Sequence, residues 1–416
     1  MSKGKRNIVL VILGILGGLM YLIPYIRYSF YDQMMDALSL NDAQLGTIGL
    51  VYGLGNMVCY LFSGWLADRY TPRTLILIGT GGMALTTFWY AMLPGYSSML
   101  IIHALYSVFS VGMWWCPYLK AVRQLFAENQ QGKAYGFGES IRGIAQAIVA
   151  FIGLTAMNTA VSAVVGFRGV VLTNAIAFAI MFFGVLFLYP KEGGEANKKA
   201  NLKESILLML SYLKMPATWI VIFIIMSGYT VWTTASNFLG TYCTRVLNMP
   251  ESMSSLVSIL RNYVLVFAAG AIGGIVLDKF RKRGNGLMTF FAVSLVSALA
   301  LFVTENTVVI GVAITLITAF AVNAIISTYW SSTSSAGFTL EQTGGATGVI
   351  SLIAFTSDMY TPPVVGNMIQ RGEDAGNVIG GFHNMLIWLA VWSVLGMVAS
   401  WLLTKRQTKL ESVKIK

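Results

Sequence analysis

Long apolar segments alternate with short polar ones along almost the whole chain. An α-helix of about 20 apolar residues crosses the hydrocarbon core of a membrane, and it satisfies its own backbone hydrogen bonds while doing so. The pattern therefore predicts an all-α membrane protein with twelve transmembrane helices. We place them at residues 7–31, 44–66, 74–93, 98–119, 135–156, 167–189, 216–240, 254–277, 286–303, 307–330, 344–368 and 378–403.

One long polar segment interrupts this alternation after the sixth predicted span. It runs "PKEGGEANKKANLKESILLMLSYLKM" and predicts a cytoplasmic linker at residues 190–215. The linker divides the chain into an N-terminal six-helix bundle, residues 1–189, and a C-terminal six-helix bundle with a cytoplasmic tail, residues 216–416.

Two sequence patterns recur in both halves. "GWLADRYTPR" at 64–73 follows the second span, and "GIVLDKFRKR" at 274–283 follows the eighth. "QQGKAYG" at 130–136 enters the fifth span, and "QTGGATG" at 342–348 enters the eleventh. Both pairs are separated by about half the chain, which indicates a parallel duplication. Transporters built from such repeats hold their substrate between two bundles near the membrane midplane.

Charge distribution predicts the orientation of the chain. The composition is 56% hydrophobic and 11% charged, and the formal net charge is +11. Most of the 28 lysines and arginines lie at the termini, in the linker or in loops on the same side, whereas the opposite side has only Arg168, Arg245 and Arg371. Positive loops stay in the cytoplasm, so we expect both termini there, in a cell (inner) membrane. No nucleic-acid partner is needed to explain the charge.

Three arginines lie within predicted spans: Arg27, Arg142 and Arg261. A charge at this depth costs about 2.5–3.5 kcal/mol on insertion scales, so it normally faces a wet cavity or a partner. Each arginine could instead tie two helices together through a carboxylate. Only Glu139 and Asp358 lie clearly within spans, which leaves a cavity with net positive charge. Guanidinium binds oxyanions bidentately, and the set therefore predicts an anionic substrate.

The two carboxylates have two interpretations each. Glu139 precedes Arg142 by three residues, on the same helical face, and either holds that arginine or carries a proton. Asp358 either forms a salt bridge with Arg27 or Arg142 across the halves, or carries a proton.

Aromatic side chains accompany the charged positions. Tyr25, Trp115 and Trp232 are the candidates for substrate contact, because a ring stacks on a sugar face and donates one hydrogen bond. Each could equally be a core or interfacial residue. His103 and His383 lie near span ends, and we expect both at the membrane interface.

The repeated loop pattern predicts a cytoplasmic gate. Gly64 permits close helix approach, and Asp68 lies at a helix end beside Arg69 and Arg73, where a breakable ion pair could latch two helices. The alternative is a solvated aspartate among positive-inside charges. The second copy supplies Asp278 and Lys279 at the corresponding positions.

Residues Gly64, Leu66, Asp68, Arg69 and Arg73 match the pattern G-x-L-x-D-R-x-x-x-R. With this loop the chain resembles the major facilitator superfamily over essentially its whole length. The resemblance implies the two-bundle fold and secondary active transport by alternating access.

Further segments resemble the organophosphate:phosphate antiporters and the anion:cation symporters. They are "YLIPYIRYSF" at 21–30, "VYGLGN" at 51–56, and Pro117, Phe126 and Gly132 around the fourth loop. By this resemblance Arg27 is an anion-binding residue, and Arg142 stands where the phosphate exchangers have a substrate-site histidine.

Two departures bear on the substrate. Trp232 occupies the position of a second phosphate-binding arginine, and Asn56 replaces a family lysine. Arg261 is similar to the arginine in span 8 of oxalate:formate exchangers, whose lysine in span 11 is missing here, with Asp358 nearby. The resemblance thus implies a carboxylate such as a sugar acid more than a phosphate ester.

The chain has no nucleotide-binding loop, zinc-ligand spacing or nucleophile elbow, so neither an enzyme nor a cofactor is expected. We predict a monomeric secondary transporter in the lipid bilayer that moves a small organic anion, with protons or a counter-anion as the coupling partner. The alternatives are a proton-driven multidrug or metabolite exporter and a transporter-like membrane sensor of anions.

Overall fold

The computed structural model describes residues 3–125, 128–191, 207, 210–305, 307–338 and 340–414, without the side chains of some residues inside its helices, among them Asp68 and Glu139. All regular secondary structure in these ranges is helical. The chain divides into two compact units, Met1–Ala200 and Asn201–Lys416.

The described residues of unit 1 form eight α-helices. They are α1 (Lys3–Leu22), α2 (Tyr31–Leu38), α3 (Asp42–Arg69), α4 (Pro72–Tyr90), α5 (Tyr96–Ser107), α6 (Cys116–Leu125), α7 (Glu128–Thr159) and α8 (Ala163–Leu188). A π-helical segment, Val108–Trp115, joins α5 and α6 into one span. In this unit α1 packs against α7 and α8, and α4 packs against α8 and the π-helical segment.

In the described part of unit 2, nine further α-helices have defined bounds. They are α9 (Pro216–Arg245), α10 (Glu251–Ile259), α11 (Leu265–Lys279), α12 (Arg283–Leu301), α13 (Val308–Thr328), α14 (Ser331–Ser335), α15 (Leu340–Ala354), α16 (Ser357–Asp374) and α17 (Val378–Lys414). A second π-helical segment, Leu260–Val264, joins α10 to α11. Helix α17 packs against α9, α12 and α16, and α13 packs against α9, α11 and α12.

The prediction of a twelve-span, all-α membrane fold is confirmed. In the described part of the chain, eight helices are long and apolar enough to cross a membrane, and α10 with α11 forms a ninth span bent by 42°. The remaining spans are α3, α4 and the pair α15–α16. Helix α3 has 28 residues, about 42 Å at 1.5 Å per residue, which exceeds the thickness of the hydrocarbon core.

The first predicted span is shorter than expected. Helix α1 ends at Leu22, whereas the prediction continued to residue 31. Pro24 accounts for the difference, because it lacks a backbone donor and disfavours helical geometry at Ile23. A single turn of 3₁₀-helix, Ile26–Tyr28, and the short helix α2 follow the break.

Two more spans depart from regular helix. Pro117 lies just after the π-helical segment of the fourth span, and its ring would clash with the carbonyl of Met113 in an α-helix. The eleventh span breaks between α15 and α16 at Phe355 and Thr356. The fold therefore places irregular backbone beside Trp115 and Asp358.

Apolar side chains on the outer faces match a lipid environment. On α8, Ile176, Ile180, Phe183 and Phe187 follow one another at helical spacing and are all exposed, Phe187 by 76%. In water such a stripe would be unfavourable, whereas in hydrocarbon it needs no partner. The protein is a multi-pass membrane protein.

Candidate functional site

A narrow cleft lies within unit 1 between α1, the fourth span and α7. On the side of α1 that faces it, Gly14, Gly17 and Tyr21 are spaced three or four residues apart, as one helical face requires, and Leu13 lies beside them. Arg142 on α7 is the charged residue that lines it. The lining residues are Leu13, Gly14, Gly17, Tyr21, Trp114, Trp115, Tyr118, Gly138 and Arg142.

Aromatic rings form the wall opposite the glycines. Trp114 stacks on Tyr118 with ring centroids 5.2 Å apart, and Trp115 meets Tyr21 edge to face at 6.4 Å. The Tyr21 hydroxyl is buried, and no described residue accepts or donates a hydrogen bond to it. Arg142 is half-buried beside these rings. The cleft thus combines a guanidinium, flat apolar surface and an unsatisfied hydroxyl.

Gly17 leaves room in front of Arg142. A Cβ built on Gly17 would lie 3.7 Å from Cδ of Arg142 and 3.7 Å from Cζ2 of Trp114, which is ordinary van der Waals contact. The glycine therefore keeps the cleft open beside the guanidinium, although the backbone conformation at this position would also accept a residue with a Cβ.

Arg27 lies in the break between α1 and α2. It is 3% exposed, and its Nη1 donates to the carbonyl of Pro24 at 3.2 Å. Its guanidinium carbon lies 5.6 Å from the ring centroid of Tyr25 and 5.5 Å from that of Tyr28. Neither Arg27 nor Tyr25 is among the residues that line the Arg142 cleft. The structure brings Arg142 together with Trp115, and Arg27 together with Tyr25.

The prediction for His103 is wrong, because this residue lies in the core of unit 1. It is completely buried, and its Nδ1 is 2.9 Å from the carbonyl of Met99. Its ring packs edge to face against Tyr52 and Tyr90. His383, in contrast, is partly exposed and pairs with Glu305.

Arg261 lies in unit 2 on the π-helical segment and is 1% exposed. Its Nη2 donates to Oγ of Ser258 at 3.0 Å. Its Nε and Nη1 are buried and have no hydrogen-bond partner among the described residues. Spacing alone predicted the depth of this arginine but not its missing partners, which depend on packing.

A series of contacts links Arg261 to the other predicted residues of unit 2. The amide of Asn323 donates to the Arg261 carbonyl at 3.4 Å, and its Oδ1 accepts from Nε1 of Trp232 at 3.0 Å. The Trp232 ring lies 5.3 Å from that of Tyr229, whose hydroxyl donates to Asp358 at 3.1 Å.

Asp358 lies in the first turn of α16 and is 8% exposed. A negative charge is favourable there because the N-terminus of a helix carries partial positive charge. Beside it, Thr230, Ser357 and Tyr360 share hydrogen bonds of 2.7–3.4 Å. Sequence reasoning missed these three hydroxyls, since no spacing in the chain reveals that α9 and α16 meet at this point. Glu139 lies outside the described side chains.

The predicted gate is described in part, because the surroundings of Gly64 and the side chain of Asp68 lie outside the described part of the chain. Arg73 donates to the carbonyls of Leu186 at 2.8 Å and Tyr189 at 3.0 Å, at the C-terminus of α8. Arg69 lies over the ring of Trp65 at 5.3 Å. Arg73 therefore satisfies carbonyls that a helix end leaves without partners.

The second copy of the loop differs from the first. Asp278 is 73% exposed on its side chain and lies 3.7 Å from Arg283, and Lys279 is exposed. A pair this exposed contributes about 0–1 kcal/mol, so it can break easily. The latch remains a prediction for both copies.

Substitution of Arg73 by alanine is expected to destabilise unit 1. The change removes two hydrogen bonds from a charged donor, which together should lower the free energy of unfolding by about 1–3 kcal/mol, allowing for partial exposure. Arg69→Ala removes an exposed guanidinium whose contact among the described side chains is the ring of Trp65, and it is the matched control. Thermal unfolding of the purified protein should show a lower midpoint for Arg73→Ala alone, and equal midpoints would contradict the helix-capping role.

Comparison with known proteins supports a family assignment. A sequence profile described as Major Facilitator Superfamily matches residues 7–362. Two proteins of Escherichia coli strain K12 are similar to this chain. Inner membrane protein YihN is 27% identical, and the match covers 98% of this chain and 97% of YihN. Inner membrane protein YqcE is 24% identical, and the match covers 95% of this chain and 93% of YqcE.

Solved structures share the fold. A bacterial homologue of the human lysosomal transporter Spinster has a TM-score of 0.77 at 15% identity, covering 98% of this chain and 99% of its own. A D-xylose–proton symporter has a TM-score of 0.76 at 13% identity, covering 97% of each chain. Because identities this low indicate fold alone, they leave the substrate open. The chain belongs to the Major Facilitator Superfamily and is a secondary transporter of that type.

Proposed function

We propose that this transporter moves a small organic anion, a sugar acid or another carboxylate in preference to a phosphate ester. The observation that carries the proposal is the position of Arg142, a guanidinium in a cleft walled by Trp114, Trp115 and Tyr118. A guanidinium fork binds carboxylate oxygens, and the rings offer flat surface to the body of the substrate.

The charge in the cleft favours a carboxylate over a phosphate ester. Arg142 is the cationic residue among those that line it. One guanidinium neutralises a monoanion, whereas a phosphate monoester carries close to two charges at neutral pH and needs a second cation. Arg27, Arg261, Tyr25 and Trp232 remain candidates for further contacts with the substrate.

Two coupling schemes follow from the residues. In a symporter, Glu139 or Asp358 brings a proton with the anion. In an exchanger, the uncompensated charge of the arginines slows the conformational change of the empty carrier until a second anion binds. The organophosphate:phosphate branch that the sequence resembles also exchanges anions. We place both termini in the cytoplasm of an inner membrane, with Asp68 and Asp278 in the inner gate, and we expect a monomer.

A thermal-shift screen tests the proposal. The purified protein is heated with sugar acids, dicarboxylates, sulfonates or phosphate esters, and the screen is repeated on Arg27→Ala and Arg142→Ala. We expect carboxylates to raise the unfolding midpoint of the wild type and to lose this effect in Arg142→Ala. Stabilisation by lipophilic cations instead of anions would favour a multidrug exporter. Anion binding without any transport in vesicles would favour a membrane sensor.

Replacement of Gly17 by alanine is expected to weaken binding without harming the fold. The added methyl group makes ordinary contacts and improves helix propensity by about 1 kcal/mol, but it occupies space in front of Arg142. We expect the anion concentration at half-maximal stabilisation to rise by about tenfold, which corresponds to 1.4 kcal/mol. Gly184→Ala, whose methyl group would meet nothing within 4 Å, is the control. Unchanged affinity in Gly17→Ala would place the substrate elsewhere.

A further inference from the structure

Arg261 is a buried cation whose hydrogen bonds are incomplete. Its guanidinium is 1% exposed, and only its Nη2 has a described partner, Oγ of Ser258. Leaving charged donors buried and unsatisfied is costly, and native structures normally explain such groups by a bound ion, water or ligand. Two unsatisfied donors, Nε and Nη1, therefore point to a ligand.

The acids of unit 2 do not supply that ligand in the described part of the chain. Glu373 pairs with Arg245 at 2.6 Å, Asp278 lies near Arg283, and Glu305 pairs with His383. Asp358 accepts a hydrogen bond from Tyr229. None of these carboxylates forms an ion pair with Arg261, so the positive charge of this site is not compensated by a described side chain.

Small residues surround the guanidinium. Gly240 faces it from α9: a Cβ built there would lie 2.7 Å from Oγ of Ser258 and 3.6 Å from Nη2 of Arg261. The π-helical segment adds local irregularity of a kind often found at functional sites.

We propose that Arg261 and Ser258 form a second anion site, in unit 2, for a monovalent group of the size of a halide or a carboxylate. A single guanidinium neutralises one charge, and a buried dianion would retain an uncompensated charge. The crowding at Gly240 limits the size of the group. The site deepens the proposed function, since its occupant is either a coupling halide or the carboxylate of the substrate, but it uses residues separate from the Arg142 cleft.

The test measures thermal unfolding of the purified full chain in halide-free Tris–HEPES. Sodium chloride, bromide, acetate or sulfate is added, with ionic strength balanced by sodium HEPES. Because a ligand of the folded state raises stability with its concentration, we expect a saturable rise with a monovalent anion. Arg261→Met should lose this rise, and Gly240→Ala should need at least about tenfold more anion. Arg371→Met, which removes an exposed guanidinium from the same unit, should keep it.

The pattern of response identifies the occupant of the Arg261 site or rules the site out. A response to chloride and bromide alone identifies a free halide, and a response to acetate that organic carboxylates share identifies a carboxylate group. No response of the folded wild type to any monovalent anion, or an equal response in Arg261→Met, overturns the site. If Arg261→Met fails to fold, wild-type crystals soaked in bromide or in acetate replace it. Anomalous density for bromide or electron density for acetate at the guanidinium supports the site, and the absence of both at saturating concentration overturns it. Failure of the organic-anion screen leaves this result unaffected.

Discussion

Replacement of Arg142 by methionine is expected to reduce anion uptake by about a hundredfold or more. Methionine keeps an unbranched apolar stem but removes the guanidinium that lines the cleft. Loss of one partner of a buried, charged hydrogen bond costs about 2–5 kcal/mol, and 1.4 kcal/mol is a factor of ten in affinity. The loss should appear in both binding and transport, measured by thermal shift and by uptake into proteoliposomes.

Two controls separate the role of Arg142 in binding from a role in folding. Arg168→Met removes an exposed guanidinium from the same unit and should leave uptake unchanged. Arg142→Lys keeps the charge but loses the planar fork, so it should recover only part of the activity. Uptake at the wild-type rate in Arg142→Met would remove this residue from the site.

Asp358→Asn is expected to abolish anion accumulation driven by a proton gradient while leaving anion exchange intact. Asparagine has the same shape and can still accept the hydrogen bond from the Tyr229 hydroxyl, but it cannot take up a proton. The measurement compares uptake under an imposed pH gradient with counterflow of the same anion at equal pH.

Asp374→Asn is the matched control, because Asp374 is an exposed acid at the end of the same helix, hydrogen-bonded to Gln370. It should keep both activities. Proton-driven accumulation that survives in Asp358→Asn would remove Asp358 as the proton carrier and leave Glu139, to be tested by Glu139→Gln. Loss of both counterflow and proton-driven accumulation would show instead that Asp358 binds the substrate or stabilises the fold.

The sequence was sufficient for the twelve spans because the length of an apolar segment and the thickness of a bilayer are directly related. It was insufficient where single residues interrupt a helix. Pro24 was visible, yet the aromatic run "YLIPYIRYSF" remained apolar enough to be assigned to one continuous span. The break that places Arg27 among Tyr25 and Tyr28 depends on backbone geometry, which hydropathy does not record.

The candidate site was predictable only as far as charge and depth go. Arg142 and Arg261 stood out because cations are rare in apolar segments. The two differ in surroundings, however: Arg142 lines a cleft, whereas Arg261 is enclosed with two unsatisfied nitrogens. Such a difference arises from which helices pack together, as do the hydroxyls of Thr230 and Tyr360 beside Asp358, and it has no signature in a single sequence.

Counterflow in proteoliposomes tests the central claim most directly. Vesicles that contain the purified transporter are loaded with the carboxylate that stabilises it most, and uptake of a trace of the same labelled anion is followed. We predict transient accumulation of label above equilibrium with the wild type and none with Arg142→Met. Absence of counterflow for every stabilising anion, with accumulation of labelled lipophilic cations in its place, would contradict organic-anion transport.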